Sequence, residues 1–124
     1  MSNIINSFVA AEAITEFALV SVNTAGKIVI TDAATDARCV GIAQRACASG
    51  DSVEVLVQGV SRVIAGGTIT DTVSLVMADT DGKVVTHQTA GYSIGQILPN
   101  INQTSASASD QILIKFTGPC NLLP

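Results

Sequence analysis

His87 is the only histidine in the 124-residue chain, so it is the one side chain whose ordinary pKa suits proton transfer near neutrality. Catalysis would require it to meet an orienting acid or a nucleophile, for which Asp79, Ser93 and Cys39 are the candidates. The sequence holds no nucleophile elbow and no recognisable acid–base pair, and His87 stands between Thr86 and Gln88 on an expected strand. It reads as a surface or cross-strand polar residue. Asp79, Asp81 and Gly82 look like a fragment of a calcium loop, in which oxygen ligands two residues apart face one cation. The position that should carry the bidentate Glu is Ala90, so the segment reads as a β-turn. Gly66 and Gly67 lack the Lys-Ser or Lys-Thr that completes a phosphate loop, and Lys27 and Lys83 follow turn glycines as solvated flanks. Arg38, Arg45 and Arg62 are separated, with no aromatic residues between them, which argues against nucleic-acid binding. Cys39, Cys47 and Cys120 are odd in number and lack CxxC spacing, so they read as thiols rather than a zinc site or disulfide framework. No catalytic residue, metal ligand or cofactor is expected.

What remains is a β framework, centred on residues 38–63. Cys39, Val40, Gly41, Ile42 and Ala43 form one short apolar run. After Ser49, Gly50 and Asp51, the residues Val53, Val55 and Val57 alternate with Ser52, Glu54, Leu56 and Gln58, giving a strand with one β-branched face. The two runs predict a hairpin, and Val60, Val63 and Ile64 carry the sheet onward across a bulge or bend at Gly59. Residues 8–22 have mixed propensity and read as loop and strand, with residues 19–22 pairing across the turn at Gly26 with residues 27–31. Further strands are expected at residues 71–77, 83–87, 92–98 and 110–116, the last reached through the low-complexity stretch 100–110.

Two halves of the chain match in order. Gly26-Lys27-Ile28-Val29 parallels Gly82-Lys83-Val84-Val85, Gly41-Ile42 parallels Gly95-Gln96, and residues 51–59 parallel residues 110–118, at offsets of 56, 54 and 59. Such offsets suggest a β-β-β unit used twice, although Val-rich strands share an alphabet and produce similarity by themselves. The fold class expected is all-β, a small barrel or sandwich with extended termini. Its parts are an N-terminal arm at residues 1–8, one domain at 9–118 with possible halves 19–64 and 73–118, and a tail at 119–124. Aromatic residues are 3% against 48% hydrophobic residues, so the core must be built from small aliphatic groups and gains from burial against neighbours. Charged residues are only 13% with a net charge of −4, and this weakly charged exterior fits either a polar uncharged surface or one covered in an assembly. No apolar run is long enough to span a membrane, and the start lacks the positive region of a secretory signal. Ile4, Ile5 and Phe8 at one end, with Leu122 and Leu123 at the other, are the candidate contact residues of the two termini.

In this order, residues 26–29, 40–43, 49–60, 82–85 and 94–98 resemble the small β-rich capsid decoration, or cement, proteins of tailed bacteriophages. The resemblance covers roughly residues 9–118 and lies in the order of short motifs. It implies a non-enzymatic virion protein, made in the host cytoplasm and carried on the outer surface of the capsid. It further implies a homotrimer whose partner is the major capsid protein and which staples neighbouring capsomers. The chain lacks the long Pro- and Thr-rich N-terminal arm of better-known decoration proteins. No functional residue carries over. The matching positions read as structural, with Gly41, Gly59 and Gly95 setting backbone geometry and Val53, Val55 and Val57 filling the core. The alternative is an adhesin-like module binding a viral or host surface, for which the absence of Trp and a single Tyr92 are poor equipment for sugar stacking.

Overall fold

The alternating and continuous apolar runs become strands in the computed structural model, which describes residues 3–33, 38–69, 75–86, 92–98 and 107–117. These are β1 (Ile4–Val9), β2 (Leu19–Val22), β3 (Ile28–Ile30), β4 (Cys39–Ala43), β5 (Ser52–Ile64), β6 (Leu75–Ala78), β7 (Val84–Thr86), β8 (Gly95–Ile97) and β9 (Gln111–Phe116). Among the described residues there is no α-helix, only the 3-10 turn Thr80–Gly82 between β6 and β7. The strands form one antiparallel sheet in the order β3-β2-β4-β5-β9-β8-β6-β7, with β1 paired to β5 off that path, curled into a half-barrel. The hairpin expected between residues 39–43 and 52–58 is the β4–β5 pair.

The order reads alike from both ends, and the register repeats with it. Val20 opposite Ile30 and Val22 opposite Ile28 correspond to Val76 opposite Thr86 and Ala78 opposite Val84. Val20 opposite Gly41 corresponds to Val76 opposite Gly95. Ile42 opposite Leu56 and Ala43 opposite Val55 correspond to Gln96 opposite Lys115 and Ile97 opposite Ile114. The ladders therefore reproduce the three offsets, 56, 54 and 59, residue for residue. They also extend the unit: Phe8 opposite Val53 corresponds to Val63 opposite Ile112, so β1 matches the second half of β5. Each of these leading strands ends in a parallel bridge that draws the unit round on itself, Ala10 to Ile28 and Ala65 to Val84. Even the turns agree. The Ala10 and Ala65 amides donate to the Asp51 and Asp110 carbonyls at 2.9 and 2.8 Å, and each of these aspartates accepts from the amide three residues earlier through its own Oδ2. Gly50 and Ser109 hold the same left-handed turn position, at φ 91° and 74°.

The duplicated unit thus has five strand positions rather than three. The first repeat is β1 to β4 with residues 52–58, and the second is residues 59–64 with β6 to β9. The halves expected at 19–64 and 73–118 place all of β5 in the first half, whereas the ladders divide it. Likewise, the boundary expected between an arm ending at residue 8 and a domain starting at residue 9 falls inside β1, a strand of the sheet. The division of β5 lies at Gly59, at φ 129°, where an added Cβ would overlap the Asn3 side chain. The Asn3 amide there acts as a substitute peptide: its Oδ1 accepts from the Val60 amide at 3.1 Å and its Nδ2 donates to the Val60 carbonyl at 3.3 Å. It continues the β1–β5 ladder past the extra residue that the register shift between Ile4 and Ile5 places in β5.

Each repeat has an inner face of small aliphatic side chains. In the first, Ala10, Ile14, Val20, Ile28, Ala43, Val53 and Val55 are buried together; in the second their counterparts are Ala65, Ile69, Val76, Val84, Ile97, Ile112 and Ile114. Alternation alone would put Leu56 on the solvent side of β5 opposite Val53 and Val55. Instead Leu19, Ile42 and Leu56, paired in one row across β2, β4 and β5, are buried in the cluster of the second repeat. The two repeats share a core because the outer face of the first lies against the inner side of the second. Where β3 ends the sheet, the Glu12 carboxylate accepts from the Ile30 amide at 2.8 Å, satisfying part of an edge that would otherwise offer itself to another strand.

Candidate interaction surface

Asp79 and Asp81 belong to the β6–β7 turn, whose backbone amides at Asp81 and Gly82 donate to Asp32 Oδ1 and to the Thr31 carbonyl, at 3.2 and 2.8 Å. Among the described residues no group of His, Cys, Asp and Glu gathers to hold a metal ion. Cys39 is buried and Cys47 half-buried, both as thiols. His87, Cys120, Leu122 and Leu123 lie outside the described residues. Arg45 makes an ion pair on the surface, its Nε 2.8 Å from Glu54 Oε1 and its Nη2 donating to the Ser52 carbonyl.

That ion pair is exposed. The hydrogen bond from Arg45 holds the Glu54 carboxyl below the ordinary range, and the same bond keeps the guanidinium more firmly protonated. A depressed carboxylate contributes stability above its unfolded pKa and loses it as pH falls through the folded value. Exposed pairs are weak because water screens both charges. We therefore expect Glu54→Gln to leave the thermal midpoint near neutral pH almost unchanged and to flatten slightly the fall in midpoint on acidification. A large drop at neutral pH would show that the pair does more than decorate the surface.

Around the pair lies the apolar part of the surface. Ser7 faces Glu54 in the β1–β5 ladder, and Ile5 and Val9 flank it on the same side of β1. Ile4, Ile5 and Val9 are 46%, 50% and 39% exposed, and among the described residues the other large exposed hydrophobic side chain is Leu75, at 45%. Of the candidate contact residues near the start, Ile4 and Ile5 are thus on the surface. Phe8 turns inward and packs, half-buried, on the cluster of the first repeat. Val9 and Leu75 were not marked by the sequence, because nothing in a short apolar run says which member lacks a cover.

The two repeats serve as controls for one another. Leu75, Gln96 and Lys115 occupy the row of the second repeat that corresponds to Leu19, Ile42 and Leu56 in the first, and this row is exposed at Leu75 and Gln96. Conversely, Phe8, Val22, Val40 and Val57 are only half-buried, while their counterparts Val63, Ala78, Ile94 and Phe116 are buried. Val57 therefore differs from Val53 and Val55, which are fully inside. The turn of residues 23–27 is exposed, with open space around Gly26, whereas its counterpart at Gly82 is pressed against the first repeat. A Cβ at Gly82 would stand 2.9 Å from the Ala18 Cβ and 3.0 Å from the Leu19 backbone.

The model of the phage cement protein family matches residues 8–116. Among solved structures, the head fiber gp8.5 N base of bacteriophage phi29 is similar in fold, with a TM-score of 0.71 over 97% of this chain and 99% of that chain, at 14% sequence identity. Comparison with curated protein sequences gives no match.

Proposed function

This chain belongs to the phage cement protein family, and on that premise we propose that it binds the outside of the phage head as a homotrimer and cements neighbouring capsomers of the major capsid protein. The family makes it a capsid-associated structural protein. The observation that carries the reading is the extent of the family match, which takes in the end of β1 and every other strand of both repeats.

A protein of this kind acts by mass action. It stabilises the closed shell to the extent that it binds the closed lattice more tightly than the separated capsomers. Several weak attachments suffice when they are carried on one rigid body, since the later ones form at high effective concentration. Ile5 and Val9, exposed on the face of the Arg45–Glu54 pair, are the surface we assign to the capsid: an apolar strip with a polar rim.

The test uses heads prepared without the protein. Added back, it should bind them and raise the temperature at which they open; failure to bind preformed heads sinks the proposal. Ile5→Asp should lower affinity for heads by about tenfold or more, the effect of losing one buried aliphatic contact. It should leave the thermal midpoint of the isolated protein unchanged, because Ile5 is half exposed there.

A further inference from the structure

The contact between the two repeats is one-directional. The second repeat gives its Gly82 turn and its inner side, and the first repeat receives them on Ala18, Leu19, Ile42 and Leu56. The converse contact is absent among the described residues: the 23–27 turn is exposed, and so are Leu75 and Gln96 in the corresponding row of the second repeat, where Lys115 is half-buried. A two-fold pair would use both. A head-to-tail contact leaves one unused half at each end, and such contacts continue into rings or filaments when further copies are added.

We infer that the contact recurs between molecules, the open inner side and 23–27 turn of the first repeat in one copy capping the Leu75 row of the second repeat in another. The occupant is a second copy of this chain because each unused half is the counterpart of a half already engaged within the chain. It accounts for two observations with one contact. Leu75 is exposed where Leu19 is buried, and Phe8, Val22, Val40 and Val57 are half-buried where their counterparts are fully covered. Gln96 and Lys115 replace Ile42 and Leu56 in the receiving row, so the contact between copies is wetter than the one within the chain; the stems of both can still lie along apolar surface. The inference gives a surface to the self-association proposed above, and rests on that reading only for the existence of an oligomer.

The experiment measures mass in solution by sedimentation, up to millimolar protein. Wild type should be oligomeric. Leu75→Glu spoils the receiving row and Ala25→Trp spoils the exposed turn, both at surface positions that leave the fold intact. Each variant alone should run as a monomer. Mixed, they should form dimers and nothing larger, because the intact turn of the first meets the intact row of the second once. An oligomer that survives either substitution, a mixture that stays monomeric, or a monomeric wild type would overturn this contact. Binding of the same samples to heads separates the two proposals: monomers that bind and stabilise heads leave the capsid role standing without this contact, and oligomers that ignore heads do the reverse.

Discussion

Gly41→Ala and Gly95→Ala should each destabilise the protein by about 3 kcal/mol or more, at the upper end of the usual cost of overpacking. A Cβ at Gly41 would overlap the Leu56 carbonyl oxygen, and one at Gly95 the Lys115 carbonyl oxygen, both on the adjacent strand. A flexible neighbour could swing aside, but a ladder carbonyl cannot move without parting β4 from β5 or β8 from β9. These two glycines are needed for the closeness of that approach, not for an unusual φ. The thermal midpoint should fall by roughly 10 °C or more in each variant. Because the positions are counterparts, the two losses should be similar. A loss below about 1 kcal/mol at either, within the range of ordinary substitutions, would mean that the strands can separate there at little cost.

Phe116→Ala should cost about 3–5 kcal/mol, the range for removing a buried aromatic ring and leaving a cavity. Phe116 is among the largest fully buried side chains, in a core built mostly from Val, Ile, Leu and Ala. Few neighbours are long enough to collapse into the space. The comparison within the molecule is Val57→Ala, at the counterpart position in the first repeat, where a smaller and half-buried side chain should cost a fraction as much. Denaturant unfolding should show a lower midpoint for Phe116→Ala at an unchanged slope, the mark of lost stability rather than a changed unfolded state. Equal losses at the two positions would refute the difference in burial.

Much of this architecture is legible in the amino acids. The alternation from Val53 to Val57, the turns at Gly26 and Gly82, and the strand ending at Phe116 all follow from period and turn chemistry. The offsets of 56, 54 and 59 reappear as registers. The rest depended on contacts far apart in the chain. β1 reads as an arm because Asn6 and Ser7 interrupt its alternation, and its partner lies about fifty residues away, where no local pattern points. The run Ile5, Asn6, Ser7, Phe8, Val9 does share its polarity with Val60, Ser61, Arg62, Val63, Ile64, but five residues of shared polarity gain meaning only once the ladders align them. Alternation alone puts Leu56 on the wet side, since period assigns faces and cannot say that another repeat covers both. The surface was least legible of all. Leu19 and Leu75 sit in like sequence environments and differ only in what lies over them.

The division of β5 at Gly59 has a mechanical consequence. One covalent backbone serves as the last strand of one repeat and the first of the next, so a pull on either is transmitted along peptide bonds rather than through side chains that could slip. Neither half can let go of that strand without loosening the other. Under tension the molecule should therefore yield in a single rupture, instead of unzipping like two beads on a string.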